Sequence, residues 1–163
     1  SVVFVGDARD RQAFRLQQLE ARFERAGRYV SERLPANALV EEARTLFGAE
    51  PLQHLMKNVA ARFAEPYLSR LDGKALPERL TEAGKILQER GCLTDVVHDG
   101  DDYLVSQHTC PFPNVAARNS AVCALDVEFV RRLVGQDARL TTSLLRGDDA
   151  CTYRVRAVNG RRP

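Results

Sequence analysis

Leu93-Thr94-Asp95-Val96-Val97-His98-Asp99-Gly100-Asp101-Asp102-Tyr103-Leu104-Val105-Ser106-Gln107 decides the fold. Two β-prone runs, 93–97 and 103–107, flank the polar segment 98–102, whose Asp99-Gly100 supplies turn chemistry, so the stretch reads as a hairpin. Upstream of it apolar residues recur at helical spacing. Downstream a helical pattern over 121–134, burying Val122, Leu125, Phe129 and Leu133, is followed by two further β-prone runs, 139–145 and 151–158, across Gly147-Asp148-Asp149. Helices first, then strand pairs around one more helix, define an α+β domain: N-terminal helices followed by a small antiparallel sheet with an interposed helix.

The upstream half carries four helical patterns. Over 8–34, Leu16, Leu19, Phe23, Ala26 and Val30 form a heptad seam, expected either to pack on its own domain or to pair with a second copy. Pro35 ends that pattern, because the residue before proline is pushed out of the α region. A helix is expected over 37–47 with Asn37 as N-cap and Gly48 past its end. Another starts near Pro51, presents Leu52, Leu55, Met56, Val59, Phe63 and Tyr67 on one face, and should be kinked or shortened by Pro66. After the Asp72-Gly73 turn, 77–90 reads as a helix with Leu80, Ala83 and Leu87 inward and Gly91 as its stop. These patterns divide the chain into a helical segment 1–38, a candidate dimerisation element, a domain 39–158, and a tail 159–163.

Composition narrows the function. With an apolar fraction of 44 % the chain can bury a core. The formal charge of +2, with acids and bases interspersed, offers no broad field for a polyanion. No apolar run approaches the ~20 residues of a membrane span, and the start of the sequence shows no charged, apolar and small-residue signal pattern. Four cysteines are too few for a disulfide framework at this length, so reduced thiols in a cytosolic protein are expected. No Gly-x-Ser-x-Gly elbow, phosphate-binding glycine loop or Cys-x-x-Cys-His run occurs, so no enzyme activity is expected.

What stands out chemically is the placing of Cys110, Cys123 and Cys151 on three separate turns or element ends of the C-terminal half. No close Cys-x-x-Cys pair is present, whereas a structural zinc site commonly uses one. A wider iron–sulfur cluster can be gripped from distant turns. An iron–sulfur cluster, a mononuclear metal and inert buried thiols all remain open on spacing alone.

Four motifs carry a family resemblance: His-x-Cys-Pro at 108–111, Asn-Val-Ala at 114–116, Val-Cys-x-x-Asp at 122–126, and Leu-Leu-Arg-Gly-Asp-x-x-Cys-Thr-Tyr at 144–153. With them, 39–158 resembles the C-terminal sensor region of SufR-type regulators, winged-helix repressors of iron–sulfur cluster assembly genes within the ArsR/DeoR-like group. The resemblance implies a homodimer in which Cys110, Cys123 and Cys151 of each subunit ligate a [4Fe–4S] cluster. It also implies that holding the cluster favours operator DNA and that losing it to oxidation or iron shortage releases the genes.

Two departures from that pattern matter. Where many members carry a further cysteine, this chain has Ser143, so the fourth ligand must come from elsewhere. His108 is favoured, because two residues from Cys110 on a strand end it would share a face; Asp126, Cys92, a small thiol and solvent are the other candidates. Asp126, one helical turn after Cys123, is expected to serve as an acceptor behind the ligands or as a helix-face charge. The second departure is that 1–38 is too short for the family's winged helix. DNA contact is then expected through a domain not evident in this chain, or regulation through a protein partner. An alternative of another class is a small-molecule-binding regulatory module with a structural zinc at the same thiolates.

Overall fold

The computed structural model describes residues 36–135 and 137–157. The heptad pattern over 8–34 and the tail 159–163 lie outside the described residues. The chain forms α1 (Ala36–Phe47), α2 (Ala49–Leu68), α3 (Leu76–Glu89), β1 (Thr94–Asp99), β2 (Asp102–Gln107), the short α4 (Pro113–Ala116), α5 (Ala121–Val134), β3 (Arg139–Thr142), a 3-10 turn (Leu144–Arg146) and β4 (Cys151–Arg156). One antiparallel sheet in the order β1-β2-β4-β3 carries the helices against its inner face, and the α+β class is as the sequence indicated.

In α1, Asn37 lies inside the helix instead of capping it. Gly48, at φ 85, separates α1 from α2, a backbone angle that only glycine takes at no steric cost. Helix α2 then runs through Pro66 to Leu68, so the proline falls in the last turn, where it marks the end without breaking what precedes. Its buried stripe is Leu52, Met56, Ala60 and Ala64, at a strict spacing of four. Ala60 and Ala64, both 0 % exposed, let α2 approach α5 closely, and this rotates the stripe away from Leu55 and Phe63. Those two residues, expected on the core face, are instead exposed; Phe63 carries the Arg90 guanidinium 5.0 Å above its ring.

Pro77 opens α3 in its first turn, where a missing N–H is harmless. At the other end Cys92 N–H donates to Leu87 O and Gly91 N–H to Gln88 O, both 2.9 Å, with Gly91 at φ 90. This is the Schellman closure, which needs an apolar residue just beyond the glycine. Cys92, 3 % exposed, fills that role in the core.

Asp99 pairs with Asp102, so the β1–β2 connection is the two-residue Gly100-Asp101 loop, tighter than the polar segment suggested. Gly100 at φ 63 in the first loop position matches the turn that suits strand twist. β4 inserts between β2 and β3, pairing Gln107 with Cys151 and Val105 with Tyr153. β3 stops at Thr142, not at 145, because Ser143 turns the chain into the 3-10 segment: its Oγ accepts from Leu145 N–H. Val105, Tyr153 and Val155 of the inner face are at most 1 % exposed and join the helices in one core.

Candidate functional site

Strand alternation explains why one end of the sheet becomes a site. Val105 points inward, so Gln107 does too, and its cross-strand partner Cys151 shares that face. Beyond Gln107 the chain bends through Cys110 and Pro111 into α4, then re-enters as α5, whose first turn carries Cys123. Asn119, 6 % exposed, fixes that entry by accepting the Ala121 N–H at 3.1 Å.

Cys110, Cys123 and Cys151 thereby line one cavity of about 200 Å³, together with Asp126, Gln107 and Tyr153. Its remaining walls are largely apolar, with Phe112, Val122, Leu140 and Leu144 among them. Two of the sulfurs receive backbone hydrogen bonds: Phe112 N–H donates to Cys110 Sγ and Leu144 N–H to Cys151 Sγ, each at 3.4 Å. Such bonds stabilise a sulfur that carries negative charge and are a means of tuning metal-bound thiolates.

The electrostatics are those of partly buried acids gathered in one recess. Burial pushes the Cys110 thiol up to about 11, opposed by the Phe112 N–H and reinforced by Asp126 and the two neighbouring thiols. Cys123 is raised for the same first reason, with Cys151 and Asp126 adding to it. Burial lifts the Asp126 carboxyl to about 6, although the Gln107 amide, the Tyr153 hydroxyl and the more distant Arg90 charge all favour its ionised form. Tyr153, buried and beside Asp126, is held far above its ordinary value and donates its O–H to Asp126 Oδ2 at 3.4 Å. The Gln107 amide lies close enough to Asp126 to influence it, yet neither Oε1 nor Nε2 reaches hydrogen-bond geometry with any partner.

The structure gathers the three cysteines named from sequence and leaves His108 out. Its Nε2 lies 3.2 Å from Asp95 Oδ1, and its backbone N–H bonds to Leu93 O. The expected shared face with Cys110 depends on strand parity, and β2 ends at Gln107, so parity no longer holds beyond it. His108 is therefore not on the cavity wall as a fourth ligand. Cys92 is likewise absent from that wall, its side chain buried in the core just past the α3 cap. Ser143, where the resemblance leads one to expect a further cysteine, does line the cavity, with its hydroxyl engaged in the 3-10 turn. Sequence reading missed Gln107 as part of the site, although period-2 alternation from Val105 placed it inward.

Among the described residues no group of three or more His, Cys, Asp or Glu side chains is arranged to hold a metal ion. No known protein family matches the sequence, and no curated protein matches it. Among the described residues no helix is long and apolar enough to cross a membrane.

Proposed function

We propose that this chain is an iron–sulfur cluster-binding sensor module of a cytoplasmic transcriptional regulator, working as a homodimer that controls DNA binding and has no enzyme activity of its own. The observation that carries this reading is the convergence of Cys110, Cys123 and Cys151, from a post-strand bend, a helix first turn and a strand start, on one cavity. Two N–H···S bonds and an orphaned buried amide on the same wall fit a polar, anion-rich group in that space.

When bound, the cluster supplies iron–sulfide bonds that oxidants and iron scarcity can break. The chain's residues translate that into geometry. Cys110 holds the segment leading into α4, Cys123 holds the start of α5, and Cys151 holds β4 against β2. Since α5 packs on α2 through the Ala60–Ala64 stripe, loosening the α5 entry alters the support of the N-terminal helices. Leu39, Leu46 and Phe47 stand exposed on α1 and offer apolar surface to a second copy.

A second reading, a small-molecule-binding regulatory module with zinc at the thiolates, is favoured by the apolar remainder of the cavity wall. Anaerobic reconstitution of the full chain with ferrous iron and sulfide separates the two. The expected result is a broad visible charge-transfer band and matched iron and sulfide, lost on Cys110→Ala, Cys123→Ala or Cys151→Ala. A colourless protein that takes up zinc alone, or iron and sulfide unchanged in all three variants, overturns the cluster reading.

A further inference from the structure

We propose, building on the cluster reading, that Asp126 is the fourth protein ligand, its carboxylate taking the iron that the three cysteines leave without a protein donor. Asp126 sits one helical turn after Cys123 and opens on the same cavity. Tyr153 holds its Oδ2 through a hydroxyl hydrogen bond, the kind of outer contact that orients a ligating carboxylate.

A carboxylate drawn out of water is unfavourable unless it is paired and hydrogen-bonded. Among the described residues none forms an ion pair with Asp126. The nearest guanidinium influence is Arg90, whose charge is engaged over the rings of Phe63 and Phe129 at 5.0 and 5.1 Å. Gln107, 1 % exposed and facing the same space, is a second polar side chain with neither amide atom satisfied. A carboxylate that Tyr153 hydrogen-bonds but no cation meets, and an unsatisfied amide beside it on the wall completing a ring of thiols, point to a cationic occupant carrying acceptor atoms: iron for Asp126 and sulfide for the Gln107 Nε2–H.

The other candidates are committed elsewhere. His108 faces Asp95, the Cys92 side chain is buried in the core away from this cavity wall, and the Ser143 hydroxyl holds the 3-10 turn. A neutral serine hydroxyl is also a far weaker donor to iron than a carboxylate.

The test compares reconstituted wild-type chain with Asp126→Asn and Asp126→Cys, each checked for folding by circular dichroism. Wild type should show one iron with the Mössbauer parameters of oxygen coordination beside sulfur-ligated ones. Asp126→Asn should lose iron to a chelator at least about tenfold faster. Asp126→Cys should restore resistance and convert the distinct iron to a sulfur-ligated one, which a merely structural role for Asp126 would not do. If Asp126→Asn fails to fold, the Mössbauer change in Asp126→Cys decides alone. An unchanged distinct iron site in Asp126→Cys, or unchanged chelator loss in Asp126→Asn, overturns the assignment while leaving the three-cysteine cluster standing. Wild type that takes up neither iron nor sulfide brings down both.

Discussion

Between α2, α3 and α5 the interior is Leu52, Ala60, Leu80, Leu87 and Val130, each at most 1 % exposed and none with a polar side-chain atom. Where α5 begins and β4 starts, the interior instead holds three thiols, a carboxyl, a phenol and an amide around a cavity. The first region stabilises itself, since removing apolar surface from water and filling space are favourable without a ligand. The second region is the reverse: burial disfavours the charged forms of its acids and leaves Gln107 unpaired. Such a group of residues costs stability at one place, in keeping with the proposed binding role.

The largest expected effect tests that division directly. Leu80→Ala, at a site with 0 % exposure, should destabilise the iron-free protein by about 2–5 kcal/mol. Cys110→Ala, at a partly buried position on a cavity wall, should change it by less than about 1 kcal/mol. Urea unfolding of both variants measures the contrast. Equal losses would mean that the thiol is ordinary core packing and that the two regions do not differ in kind.

A smaller effect has the opposite sign. Burial raises the folded-state Asp126 carboxyl to about 6 from 3.8, so the native protein prefers the protonated acid. The contribution of this group is then most favourable below pH ~4, is eroded as pH rises toward about 6, and stays low above that. Replacing Asp126 by Asn removes the ionisable group while retaining an acceptor for Tyr153. The iron-free variant should therefore be more stable than wild type at pH 7, by on the order of 1–3 kcal/mol. The advantage should vanish near pH 4. Urea midpoints at the two pH values measure it, and a variant weaker than wild type at both would show that the Gln107 and Tyr153 interactions outweigh burial.

The two regions also differed in how much of them could be read from sequence. Helix and strand order followed from local period, because Leu80, Leu87, Val122 and Phe129 repeat at the spacing their own helices impose. The α2 face was only partly legible: the apolar pattern pointed to Leu55 and Phe63, but two alanines made the close face, and small residues register in an interhelical distance that one helix cannot reveal. The three cysteines were visible as residue types, and their meeting was not. It depends on β4 inserting between β2 and β3 and on a bend after Gln107, both non-local features. The same bend is why the parity argument for His108 failed.

The smallest effect belongs to the scaffold's surface and runs against Asp126 in pH. Arg70, just past α2, donates from Nη2 and Nε to Glu82 and from Nη1 and Nη2 to Glu89, at 2.6–2.9 Å. Its guanidinium hydrogen bonds hold both glutamates below the usual carboxylate range. A depressed carboxylate contributes stability that is full above the unfolded value of ~4.3 and is lost as pH falls through the folded one. All three side chains touch solvent, so Arg70→Ala should cost no more than about 1 kcal/mol near neutral pH. That loss should shrink in high salt and on acidification. Acid thus weakens the tie between the end of α2 and α3 only below the unfolded value of ~4.3, under the window between about 4 and 6 in which it relieves the cavity. Measured from pH 7 down to about pH 3, Asp126→Asn should approach wild type from above between about pH 6 and 4, and Arg70→Ala from below only under pH ~4.3. Convergence from the same side would remove the electrostatic distinction between scaffold and site.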